Sequence, residues 1–219
     1  MIGYDNNNTG DNGIIAGYRH VNNGDWNLIA GYNHQISASG VGAVGTNHTI
    51  DTPSSFATGH KNKILNTSGS SSGNNFAAGI ENTIDASYAS ALGYFNKVYG
   101  NGSGAIGSNN EVHSPSSLAA GNKNKILATT TNGTYGGNFV VGNENTLDAR
   151  NCLATGVNNF IYTQGGFING RENQTMSNGR YSINSGQSNY VNHWNTLTSG
   201  LGLHSIREGG AIVGTYNAF

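Results

Sequence analysis

The chain has 219 residues, 34 of them glycine and only two proline, with 10 % charged residues and a net charge of −1. That charge leaves no basic face for nucleic acid, and no apolar run approaches the roughly 18 residues of a membrane-spanning helix. Disorder is disfavoured too, because low net charge is combined with eleven Tyr, seven Phe and a steady supply of Ile, Val and Leu.

The first residues, MIGYDNNNTG, carry neither the basic stretch nor the apolar stretch of a secretory leader. Export as a piece of a larger secreted protein, or release by lysis as for virion parts, is therefore expected. From Gly3 onward glycine recurs at Gly17, Gly31, Gly45, Gly59, Gly79, Gly93, Gly107, Gly121, Gly142, Gly156, Gly170, Gly186, Gly200 and Gly214. The spacing is 14 residues except for steps of 20, 21 and 16. Taking each glycine as position 0, asparagine occupies position +3 in eleven of the fifteen coils, and an aliphatic residue occupies +5 in most. A fixed period of this kind is the signature of a repeat architecture.

In chain order, the early coils carry His20, His34 and His48 at +3 and Tyr4, Tyr18 and Tyr32 at +1. PSSFATGHKNKIL (53–65) recurs as PSSLAAGNKNKIL (115–127), and each copy is followed by a Ser/Thr/Asn/Gly-rich expansion, near 66–75 and near 128–138. These expansions are expected as exposed loops, at Ser68–Gly73 and Thr130–Gly136, and as the first sites cut by proteases. The last part, 171–219, is irregular. Within Arg171–His204 one step is 16 residues, Asn184, Thr198 and Ser199 stand where apolar residues are expected, and Leu203 replaces the +3 asparagine.

Fourteen residues are too few for a helical hairpin, and glycine with β-branched residues opposes helix. They suit two short strands and two turns. Stacked in parallel at about 4.8 Å per coil, about fifteen coils make one all-β solenoid domain over 1–219, roughly 70 Å long. Position −3 is large and apolar in most coils, while −2 is small or aliphatic, including Ala43, Ala57, Ala77, Ala91, Ala105 and Ala119. Neighbours in a strand face opposite ways, and a solenoid has one inside. Apolar residues on both faces therefore call for a second buried surface, with the alanines expected to let three copies pack closely around an axis. The +3 residues, among them Asn62, Asn82, Asn96, Asn110, Asn124, Asn145 and Asn159, are expected to form an amide ladder that also serves the turn backbone.

His20, His34 and His48 share one position on consecutive coils without a carboxylate or cysteine in register, so a planar substitute for asparagine is expected rather than a metal site. Asp51, Asp85 and Asp148 recur at +6 as turn formers. Cys152 stands alone, and neither the HExxH nor the P-loop pattern occurs. Tyr4, Tyr18, Tyr32 and Tyr94, with Trp26 and Trp194, read either as a sugar-stacking surface or as aromatic cover over thin turns. Trp194, Tyr181, Tyr190, His193 and Arg180 crowd into the irregular stretch. That stretch is a candidate binding surface, or else a distorted end that caps the stack.

GAVG (42–45), SALG (90–93), GAIG (104–107) and AIVG (211–214) resemble the NSVAIG-type repeat of YadA-like heads, the Hep/Hag repeats of trimeric autotransporter adhesins and phage tail-fibre proteins. The resemblance implies a left-handed parallel β-roll in a parallel homotrimer. Asn at +3 and Ile or Val at +5 depart from the small residues usual in that family. The ending, GGAIVGTYNAF, resembles the last solenoid coil of phage fibres whose C-terminal chaperone domain is cleaved off. The expected function is a non-enzymatic, extracellular fibre or adhesin head, on a virion or a bacterial surface. It would recognise a surface polysaccharide or protein receptor without cofactor, metal, nucleic acid or membrane insertion. A polysaccharide-degrading tailspike with two carboxylates between subunits and a pure spacer are the alternatives.

Overall fold

A computed structural model describes residues 1–67, 72–127, 136–177, 179–205 and 207–216. Two compact units make up the chain, Met1–Asn109 and Asn110–Phe219, and both are built in the same way. Each turn of chain contributes a five-residue strand, such as Leu28–Tyr32 or Leu153–Val157, and a shorter one, such as Gln35–Ile36 or Phe160–Ile161. Within each unit the long strands pair in parallel, in chain order, into one sheet, and the short strands into a second. Each unit is thus a parallel β-solenoid, with no helix among the described residues.

The glycine series is the register. Gly31 lies opposite Gly17 and Gly45, and Gly156 opposite Gly142 and Gly170. The longer steps keep it as well, with Gly59 opposite Gly79 and Gly121 opposite Gly142. The two expected loops, Ser68–Gly73 and Thr130–Gly136, lie outside the described residues except for Ser72, Gly73 and Gly136. The chain re-enters the repeat at Asn74 and Gly137, whose amides donate to the carbonyls of Pro53 and Pro115, the prolines of the duplicated segment.

Glycine is required at position 0 for two reasons. Its φ is strongly positive, 127° at Gly31 and 116° at Gly79, and a Cβ there would overlap the carbonyl oxygen of the next coil's glycine. Position +2 also has positive φ, but in ordinary residues such as Arg19, Lys61, Glu81, Phe95 and Lys123. This conformation costs an L-residue about 1–2 kcal/mol. It is offset by a hydrogen bond to the preceding coil, as in Asn33 N–H to the Tyr18 carbonyl at 2.9 Å.

The core is two columns wide. Position −2 and position +5 point inward, and Ala57, Ala77, Ile64 and Ile84 are all fully buried. The −2 position holds alanine in seven coils and isoleucine or valine in others, such as Ile29 and Val140, opposite the aliphatic +5 residue. Ala43, Ala57, Ala77, Ala91, Ala105 and Ala119 are each 0 % exposed within their own coils, which corrects the expectation that they line an axis between copies. The outward face of the long sheet belongs instead to positions −3 and −1. Ser199, expected in the core, stands at −1 and is half-buried on that outward side.

Candidate functional site

The +3 ladder is built from backbone needs. Asn124 shows the unit cell: its backbone N–H and its Nδ2 donate to Asn110 Oδ1 at 3.0 and 3.1 Å. Nδ2 also donates to the carbonyls of Ala120 and Gly142 at 3.0 and 2.8 Å. The pattern repeats from Asn62 through Asn82 to Asn96 in the first unit, and from Asn145 through Asn159 and Asn173 to Asn189 in the second. Only a side chain with an acceptor and two donors at this length meets every demand.

Histidine enters the same column as a mimic. The rings of His20, His34 and His48 are stacked, with centroids 4.9 Å apart and planes 3–4° from parallel. Nδ1 of each accepts the backbone N–H of the next residue in the column, His34, His48 and Asn62, at 3.2, 3.1 and 3.1 Å. Nε2 faces the carbonyls of Ala16, Ala30 and Val44 at 3.3, 3.1 and 3.1 Å. This arrangement requires the neutral ring with hydrogen on Nε2, so both nitrogens are engaged. Burial holds all three below the usual value of 6.5, His34 at about 4.

A second ladder, unanticipated from sequence, runs at +10. Asn27 Oδ1 accepts from Val41 N–H, Ser55 Oγ from Asn75, Asn75 Oδ1 from Ala89, Asn138 Oδ1 from Cys152, and Cys152 Sγ from Gly166. Mixed residue types hid it. Cys152 is a link in this column, and burial pushes its thiol pKa up, away from nucleophilic use.

The aromatic residues fall into separate groups. Tyr4, Tyr18 and Tyr32 stack at 5.6 Å between centroids, with the Arg19 guanidinium 4.9 Å from the Tyr18 ring. They stand at the +1 end of the long strand, whereas Trp26 precedes the opposite end, at +9. Tyr94 packs edge-on against Phe95 at 4.1 Å. In the second unit, the Arg180 guanidinium lies 5.5 Å from the Trp194 ring, and both stand six residues before the next glycine of the series in successive coils. Exposed Tyr181 and half-buried His193 belong to the same turns. Tyr190 does not join them. It is in the short strand Tyr190–Val191, with its ring edge-on to His204 at 4.6 Å.

Behind this stretch the core turns polar. Thr175, Asn184, Thr198 and Ser205 are buried where other coils hold Ile, Val or Ala, and Asn184 Oδ1 and Thr198 Oγ1 have no hydrogen-bond partner. Leu203 ends the asparagine column among the described residues, its N–H donating to Asn189 Oδ1 at 2.9 Å. Asp51 accepts from Ser37 at 2.7 Å and Asp85 accepts from Thr67, the turn roles expected for +6. Among the described residues no three His, Cys, Asp or Glu side chains are grouped as metal ligands would be.

The remaining feature is the outward face of the long sheet. Ile14 is 67 %, Phe76 40 %, Phe139 42 % and Ile106 45 % exposed. Bulk alternates between its two columns: Leu28/Ala30, Phe76/Ala78 and Leu118/Ala120 carry the large side chain at −3, while Gly42/Val44, Ser90/Leu92 and Gly104/Ile106 carry it at −1. No protein-family model matches the chain, and no curated protein matches it. The fold and its surfaces therefore carry the functional reading.

Proposed function

We propose that the chain is a non-enzymatic segment of an extracellular fibre, a phage tail fibre or bacterial surface adhesin. Left-handed coils from three parallel copies would associate through the outward faces of their long sheets, and the assembly attaches to a surface polysaccharide or protein. One observation carries this reading. The −3 and −1 columns together present at least one apolar side chain on the outward face in every coil. A soluble monomer rarely exposes a contiguous apolar patch beyond a few hundred Å². In coils such as Leu28/Ala30 and Gly42/Val44 the large side chain shifts from one column to the other, a relief that close packing against a partner can use. The short sheet's outward positions, by contrast, in most coils hold polar residues such as exposed Lys63, Lys97 and Lys125 and half-buried Thr83 and Glu111, so the long sheet offers the continuous apolar face. Light scattering on the native full chain tests the reading: three chain masses are expected at micromolar concentration, and a well-folded monomer contradicts it.

A further inference from the structure

The short sheet of the second unit is polar in most coils but departs from that pattern at one place. Position +4 points outward from the short strand, and in the ten coils before Gly156 it holds Asn, Val, Gln, Thr, Lys or Glu. In the next coils it holds Phe160, Gln174, Tyr190 and His204. The repeat does not require a ring there, since lysine and threonine serve the same backbone elsewhere. Around these residues lies a groove of about 600 Å³, lined by Phe160, Glu172, Gln174, Met176, Ser188 and Tyr190 among others. That size falls within the roughly 300–1,000 Å³ of small-ligand sites.

The groove's chemistry is mixed in a particular way. Phe160 and Tyr190 are half-buried and two coils apart, roughly 10 Å along the stack, with the exposed Gln174 amide between them. The Tyr190 ring is held edge-on by His204. Glu172 accepts from Ser188 at 3.3 Å and pairs with Arg171 at 3.1 Å, which fixes its carboxylate at the groove and balances its charge. Met176 holds the ordinary +6 position, and the surplus of this 16-residue coil follows it, closed by the Gly179 N–H to the Met176 carbonyl at 2.7 Å. Inside the same coil, Asn184 Nδ2 donates to the Gln174 carbonyl at 3.0 Å, while its own oxygen is left without a partner. A coil under structural demand alone would carry an apolar residue there, as most do, because a buried unpaired polar atom is destabilising. Local departures from a fold's own rules collect at functional sites.

We infer that this groove binds a pyranose unit of a surface glycan. The apolar faces of the sugar would lie against Phe160 and Tyr190, and its hydroxyls would bond the Gln174 amide and the Glu172 carboxylate. The balanced charge selects a neutral sugar over an anionic one. The inference deepens the attachment reading above and rests on it, but it places recognition on the short sheet, away from the Arg180–Trp194 turn.

The test uses the labelled full chain on an array of immobilised bacterial and animal surface glycans. Tyr190→Thr and Phe160→Thr are compared with the unaltered chain and with Trp194→Ala. Threonine is chosen because Thr49, Thr83 and Thr146 fill the same position, so the variants keep the fold, which thermal melting monitors. Retention of at least one neutral glycan is expected, with Kd weakened about tenfold or more by either threonine variant and by less than about twofold in Trp194→Ala. No retained glycan, or a retained one whose Kd the threonine variants leave unchanged, overturns the inference. Attachment to whole cells that Tyr190→Thr abolishes without any retained glycan would mean a protein receptor, overturning the sugar while the attachment reading stands. Absence of attachment to any cell would sink that reading separately.

Discussion

The coils around His20, His34 and His48 and the coils from Asn173 to Ser205 both depart from the repeat, and they do so in opposite ways. In the first stretch the ladder changes residue type but still accepts each backbone N–H of the column, and the inner columns are apolar at Ile15, Ile29, Ile36 and Ile50 and polar only at Asn22, whose amide is bonded to Asn8, Gly24 and Asn27. In the second the ladder residue is retained as far as Asn189, while the inner columns become Thr175, Asn184, Thr198 and Ser205, leaving two buried oxygens unpaired. The fold therefore tolerates new chemistry wherever donor and acceptor geometry is preserved. A change that breaks packing or pairing needs another reason, and the glycan groove is the one proposed.

The largest effect should come from breaking the ladder where it is regular. Asn124→Ala strands the Asn145 N–H and the carbonyls of Ala120 and Gly142, each unpaired group costing about 1–3 kcal/mol. A loss of about 3–9 kcal/mol in denaturant unfolding is expected, whereas Lys125→Ala, on the exposed side of the adjoining short strand, should cost about 0.5 kcal/mol or less. Equal losses at the two positions would mean that the ladder is not what holds the coils.

Acid should act next, and only on the histidine stretch. Burial holds folded His34 at about 4 against an unfolded value of 6.5, so between those values the unfolded chain binds the extra proton. Stability is complete above about pH 6.5 and is lost as pH falls towards 4, on the order of 3 kcal/mol from His34, with His20 and His48 adding in the same direction. Protonation puts hydrogen on Nδ1, where it opposes the backbone N–H of His48. In His34→Asn the ladder is retained, so unfolding measured from pH 7 to 4 should lose much of its slope, with stability at pH 7 changed by about 1 kcal/mol or less. An unchanged slope would contradict the neutral-imidazole account.

The smallest effect has the opposite sign. Thr198→Val removes a buried hydroxyl that has no partner and keeps the shape. The variant should gain about 1 kcal/mol in the same unfolding assay, and a loss would mean that the hydroxyl is paired in solution.

Much of this architecture was legible in the chain. The glycine series marks a physical necessity, the close approach of one coil's Cα to the next coil's carbonyl, and so it set the register across the 20- and 21-residue steps as well. The asparagine column was legible because few side chains fit its bonds, histidine being the one substitute seen, at His20, His34 and His48. Which face lies inside was not, because −3 and −2 are both apolar and only their size distinguishes Phe76 from Ala77. The +10 ladder was hidden because Asn75, Ser117, Cys152 and Ser182 each accept a backbone N–H in the same way. Positive φ at +2 was hidden as well, since Lys, Glu and Phe announce no turn. Tyr190 was picked out with Trp194 by nearness in sequence, but a solenoid groups residues by column, and Tyr190 shares its column with Phe160 and Gln174.

The central claim is that the outward face of the long sheet, and not that of the short sheet, joins the copies. Sedimentation of two aspartate variants tests it most directly: Ile106→Asp on the −1 column and Thr83→Asp on the short strand Thr83–Ile84. A charge at a packed apolar interface would be buried without a partner, while one on the short sheet remains in water. Monomer for Ile106→Asp and trimer for Thr83→Asp is the expected pair of results. Trimer for Ile106→Asp, or loss of the trimer in Thr83→Asp alone, contradicts the claim.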